Sequence, residues 1–191
     1  MELLIERMYQ VALGIISLKT FECWLYRQAL AVHMDDEFIL EVFSFNYNQK
    51  RACRTFLHHF RSLFTTPHYN EWKIGIYLNQ LAGRKEPSEE ILHEINYTLS
   101  EEYPFLTNHG YFYYAFAEDN MMPSHSQEAL QEDIRSEAAD LLAQLQEALI
   151  PNPGMHMRDF EPGPVQKEEH PEPAAPVKVP APTHPWWKIC K

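Results

Sequence analysis

Ten of the fourteen prolines lie beyond Ile150, and this asymmetry limits the fold more than any other feature. A proline has no main-chain N–H and a fixed φ, so it breaks a helix interior and cannot donate to a sheet ladder. Residues 151–191 also lack any run with helical or strand period. They read as an extended, disordered tail, partly polyproline II, reaching roughly 120 Å at most at ~3.1 Å per residue. The 150 residues before them suffice for one ordinary domain. Charge divides at the same point: residues 1–150 carry 22 acidic and 11 basic side chains, and residues 151–191 carry five of each.

Up to Ile150, apolar residues recur at three- and four-residue steps, the spacing of one helix face. Leu4, Met8, Val11, Ala12 and Ile15 predict an amphipathic helix over 2–15. Ser17 and Thr20 are candidate caps for the next helix, because a hydroxyl there can accept from first-turn amides. That helix presents Phe21, Trp24, Leu25 and Leu30. Asp35 and Asp36 mark another start, since acidic side chains favour the positive helix end. Residues 36–47 admit two readings: Phe38, Ile39, Val42 and Phe43 have helical spacing, while Phe43, Phe45 and Tyr47 alternate like a strand. The start signal decides for helix.

Over 49–64, Ala52, Cys53, Phe56, Leu57, Phe60 and Phe64 form one stripe, with Lys50, Arg51, Arg54, His58 and Arg61 off it. This basic patch is either a phosphate-contacting helix or a solvated face paired with nearby acids. The negative total favours the second. Residues 69–82 bury Trp72, Ile76 and Leu81 and stop at Gly83; Pro87-Ser88 opens a helix with Ile91, Leu92, Ile95 and Leu99 inward. The aromatics from Tyr103 to Phe116 are too many to leave in water, so a short helix or turn should close over the core. Ser124 to Gln127 has capping-box spacing and opens a helix to about Leu149, with Leu130, Ile134, Ala138, Leu141, Leu145 and Leu149 on one side. The prediction is an all-α, compact multi-helix domain over 1–150 and a proline-rich disordered tail over 151–191. Leu18–Phe64, the densest apolar stretch, is its expected buried centre, with Trp24, Tyr26, Phe43 and Phe56 as packing residues.

The same residues offer little chemistry. Three cysteines make no secreted disulfide framework, and Cys23 and Cys53 read as small core side chains. The short apolar run near the N-terminus has no cleavage signal, and nothing approaches the ~18 apolar residues of a membrane span. A cytoplasmic protein is expected. Glu90 and His93 have di-iron Glu-x-x-His spacing, but no second copy exists, so surface ionic residues explain them better. Adjacent His58 and His59 point about 100° apart on a helix and cannot share a metal. No zinc spacing, glycine-rich phosphate loop or nucleophile elbow appears. The reading is therefore non-catalytic, with no cofactor and no metal. An acidic domain is a poor general nucleic-acid binder, which needs cations to displace phosphate counterions. It suits a basic protein partner.

Two stretches carry a family resemblance. The first contains Ile16, Leu18, Phe21, Glu22, Trp24, Leu25 and Tyr26, then Asp35, Asp36, Phe38, Leu40 and Asn46-Tyr47. The second contains Tyr103, Phe105, Leu106 and Gly110. Over residues 2–117 this pattern resembles small all-helical immunity proteins encoded beside bacterial polymorphic toxins. The resemblance implies a binder that neutralises a cognate toxin by direct contact, the toxin domain often being a basic nuclease. Expected contacts are the acids Asp35, Asp36, Glu37, Glu101, Glu102, Glu118 and Asp119. The helix after Ser124 and the tail have no counterpart in that pattern. The tail ends in an apolar tip, Trp186, Trp187 and Ile189, which suggests the alternative of an adaptor hooking a second partner.

Overall fold

The structure, a computed structural model, describes residues 2–28, 36–83, 88–117, 124–152 and 154–163. The chain divides into units Met1–Glu161 and Pro162–Lys191, and every element below belongs to the first. As expected, it is all-α: eight α-helices and no strand among the described residues. They are α1 (Glu2–Ala12), α2 (Leu18–Gln28), α3 (Glu37–Ser44), α4 (Ala52–His59), α5 (Pro67–Gly83), α6 (Glu89–Glu94), α7 (Thr107–Ala117) and α8 (Ser124–Leu149). None of the described helices is long and apolar enough to cross a membrane.

Local chemistry fixes the early boundaries. α1 stops at Ala12, short of Ile15, because Gly14 turns left-handed at φ 69°. Ser17 then caps α2 as predicted, its Oγ accepting from Thr20 N at 3.0 Å. Asp36 caps α3, its Oδ1 accepting from Phe38 N at 2.9 Å and Ile39 N at 3.4 Å. Over residues 36–47 the helix reading holds and no strand forms. Helix persists to Ser44, after which Phe45 is extended (φ −62°, ψ 136°). That turn brings Tyr47 inward, where its hydroxyl donates to Val42 O at 2.7 Å and burial raises its pKa.

The domain has two apolar cores rather than one centre. The first gathers Met8, Phe21, Val42 and Phe56 from α1–α4, all fully buried. The second gathers Leu78, Leu92, Leu99, Tyr103, Leu106, Ile134 and Ala138 from α5–α8 and their connections. Leu18–Phe64 therefore builds only the first. Phe56 packs there as expected, Trp24 and Phe43 are half-buried, and Tyr26 is 51% exposed, edge-on to Phe43. Tyr9 joins the cores, its ring 4.9 Å from Tyr69 and 5.4 Å from Trp72.

The cysteine expectation fails for a geometric reason. In α2, Phe21 and Leu25 take the inner side and turn Cys23 away from it; Cys53 shares the side of Phe56 and Phe60 but lies in the first turn of α4, ahead of the buried Phe56, and is exposed there. α5 differs too. It buries Tyr69, Lys73, Ile74, Tyr77, Leu78 and Leu81, one stripe at four-residue steps whose lysine and tyrosines blur its apolar pattern, and leaves Trp72 and Ile76 half-buried at its edge. In α8 the stripe Ile134, Ala138, Leu141 and Leu145 is buried as predicted, with Leu130 and Leu149 at its edge. Leu30 and the side chains of the Ser124 capping box lie outside what the structure describes.

The chain does not leave the domain at Pro151. Residues 154–160 run back over it: Glu71 accepts from Met157 N at 3.1 Å, and Phe160 is buried edge-to-face on Phe105 at 5.4 Å. Phe160→Ala should cost about 2 kcal/mol, below the usual core range because a terminal strap can detach. Urea denaturation measures this, and an unchanged midpoint would show the strap to be idle.

Candidate functional site

α6 continues into a π-helical turn, Ile95–Leu99, closed by Ser100 N donating to Ile95 O at 2.9 Å. The predicted quartet Ile91, Leu92, Ile95 and Leu99 is fully inside. A π turn inserts a residue into the ladder, and such turns recur where a protein must re-aim side chains. Here the wider turn presents Asn96 to α7 at Gly110. A Cβ on Gly110 would lie 3.0 Å from Asn96 Oδ1 and 3.1 Å from Asn96 Cα, so any larger residue would push Asn96 or α7 back by a few tenths of an ångström.

That contact sets the α7 tyrosines beside Tyr97. Ring centroids lie 5.7 Å apart for Tyr97–Tyr113, 6.4 Å for Tyr97–Tyr114 and 5.7 Å for Tyr113–Tyr114; the His93 ring lies tilted, 4.6 Å from Tyr97. The hydroxyls of Tyr97 and Tyr114 share a hydrogen bond, which raises the pKa of Tyr97 and lowers that of Tyr114, to which Asn96 also contributes. The expectation that these aromatics close over the core is only half met. Tyr103 and Phe105 are buried, and Phe112, Tyr113 and Phe116 pack on the core, but Tyr97, Tyr111 and Tyr114 remain 56%, 63% and 43% exposed. α7 is aromatic on all sides, so one face must meet solvent.

Next to the tyrosines, Glu89, Glu90, His93, Glu94 and Thr98 line a shallow cleft of about 520 Å³. Glu94 forms its inner wall. One carboxylate oxygen lies 2.5 Å from the Lys73 ammonium, and the other accepts from the Tyr77 hydroxyl. Lys73 is 5% exposed and sits 5.2 Å over the Tyr69 ring. Burial raises the Tyr77 pKa, and the bond to Glu94 raises it further. On the inner side of α7, His109 is buried against Phe112, and desolvation holds its imidazole down to about 4; the Glu137 main chain opposes that shift only in part.

Charge is purer here than elsewhere. The 49 residues from Glu86 to Ile134 hold eleven acidic side chains and no lysine or arginine. The rest of the chain has 16 of each sign, so this stretch carries the whole net charge of −11.

Of the acids predicted from sequence, Asp35, Glu118 and Asp119 lie outside the described residues, as do Trp186, Trp187 and Ile189. Asp36 serves as a helix cap, and Glu37 is exposed on α3. Glu101 and Glu102 are exposed beside the second core, where Glu102 accepts from Asn70 at 3.2 Å and lies 3.8 Å from Arg158. The four thus fall into two groups on different cores. Sequence reasoning missed Glu89, Glu94, Tyr97, Tyr111 and Tyr114 as site residues and treated Glu90 and His93 as ordinary surface ions. The cation-free run would have found them. No group of three metal-ligating side chains occurs among the described residues.

Fold and surface together define an all-α domain with an acidic, tyrosine-bearing face. No family model matches the chain, and neither a curated protein nor a solved structure matches it.

Proposed function

We propose that the chain is a non-catalytic protein-binding domain of the immunity type, which neutralises a cognate basic toxin domain by covering it. One observation carries this reading: three exposed tyrosines stand on a face built from a stretch with no lysine or arginine. Tyrosine supplies large contact area for little lost side-chain entropy, and it is enriched among the residues that dominate binding energy. Its ring also accepts a guanidinium or ammonium over its face. The flanking Glu89 and Glu90 favour encounter with a cationic surface and disfavour an anionic one. The contact region moves accordingly from the scattered acids predicted by sequence to Tyr97, Tyr111, Tyr114, Glu89 and Glu90.

Co-expression with the toxin domain encoded beside it tests the reading. The intact chain should relieve toxicity and co-purify with the toxin. Tyr97→Ala with Tyr114→Ala should weaken the complex by at least ~30-fold while leaving helicity unchanged. Unrelieved toxicity with a folded chain and no complex would discard the function. Full rescue by the double variant would keep the function and move the interface elsewhere.

A further inference from the structure

Between Val42 and Asn70 the sequence has no acidic residue. It has Lys50, Arg51, Arg54 and Arg61, each exposed, together with exposed His58. Arg51, Arg54, His58 and Arg61 recur at three- and four-residue steps, so they follow one side of α4 and the turn after it. Phe56 and Phe60 occupy the buried side. Sequence reasoning expected these cations to pair with neighbouring acids. Among the described residues Arg51, Arg54 and Arg61 form no ion pair; the one acidic contact near them joins His59 to Glu41 at 2.8 Å.

The domain thus bears a cationic stripe on a segment without acidic residues and, on other helices, an acidic tyrosine face on a segment without lysine or arginine. We propose that these two surfaces bind each other between copies of the chain, the stripe of one copy seating on the tyrosine face of the next. Their extents are comparable: the stripe runs along α4 into the 3-10 turn after it, and the face runs along α6 into its π turn. Their chemistry is complementary, because a guanidinium stacks on a tyrosine ring and pairs with a carboxylate at once. A nucleic-acid strand could occupy the stripe but would leave the acidic tyrosine face uncovered, whereas a second copy engages both surfaces. The two surfaces differ, so the contact is heterologous: each added copy offers a fresh stripe or face, and assembly grows unless it closes into a ring. A small polar contact of this kind is weak and screened by salt. Association needs only this chain and does not rest on the toxin reading. It does imply that a basic partner competes with self-association for the tyrosine face.

Sedimentation of the full chain across a concentration series, at about 20 mM and about 300 mM salt, tests the proposal. At low salt the average mass should climb above the 22.5 kDa monomer, and high salt should lower the association constant by at least ~10-fold. Arg54→Gln with Arg61→Gln should be monomeric, as should Glu89→Gln with Glu90→Gln. All four positions are exposed, so folding is retained and checked by circular dichroism. Mixing the two variants leaves one intact surface on each, so one-to-one dimers should form and grow no further. A monomer at both salt concentrations overturns the proposal, as do variants that still associate or a mixture that stays monomeric. A single-stranded oligoribonucleotide that binds the stripe of a monomeric chain would assign that surface to a polyanion instead.

Discussion

Glu94→Ala is expected to destabilise the domain by about 3 kcal/mol, whereas Lys73→Met should cost less than about 1 kcal/mol. The two residues form one ion pair, so their contrast comes from burial. The Lys73 side chain is 6% exposed and the Glu94 side chain 33% exposed. Without Glu94 an ammonium stays in the interior with only an aromatic face near it, and the Tyr77 hydroxyl loses its acceptor. Removing one partner of a buried pair leaves the full desolvation cost of the other. Without Lys73, Glu94 still reaches water and still accepts from Tyr77, and methionine fills much of the lysine volume. Urea denaturation of both variants at neutral pH measures the difference. Equal losses would mean that the pair contributes by mutual attraction alone.

Acid should weaken the domain through His109. Its folded pKa is about 4, against about 6.5 for a free imidazole. Because the folded value is the lower one, this contribution is complete above pH ~6.5, declines as pH falls, and is fully lost below pH ~4. A shift of this size corresponds to about 3 kcal/mol. Carboxylates titrate in the same range, so the informative quantity is a difference. The wild type should lose about 3 kcal/mol more between pH 6.5 and 3.5 than His109→Leu does, because leucine occupies the buried site without a charge to desolvate. Parallel stability profiles would show that His109 is reached by water before unfolding. The helix affected is α7, so acid should also loosen the tyrosine face.

Both predictions concern groups that sequence periodicity misplaced or passed over, for an identifiable physical reason. Helix caps are local, and Ser17 and Asp36 could be read because their partners lie two or three residues away. One-sided helices are nearly as legible: Ile91, Leu92, Ile95 and Leu99, and likewise Ile134, Ala138, Leu141 and Leu145, follow a stripe that one core enforces. The buried stripe of α5 runs through Tyr69, Lys73 and Tyr77, so its apolar pattern is blurred, and the lysine inside is made tolerable by a glutamate 21 residues away. Nothing local announces that partner. The strap at Met157 and Phe160 was hidden by the prolines around it, although its two anchors, Glu71 and Phe105, lie far back in the chain. The tyrosine face depends on the π turn, whose extra residue has no simple sequence signature. Its charge, by contrast, was fully visible in the run from Glu86 to Ile134.

The contact at Gly110 bears on how fast and how tightly such a face can be recognised. Glycine lets α7 approach Asn96 closely, and the shared hydroxyl bond between Tyr97 and Tyr114 restrains two of the rings. A partner meeting this surface finds its side chains already arranged, so the ordering entropy that a loop-borne site loses on binding was lost here during folding. A side chain at position 110 would therefore act far from any contact it makes itself, by turning a preformed epitope into one that each encounter must reassemble.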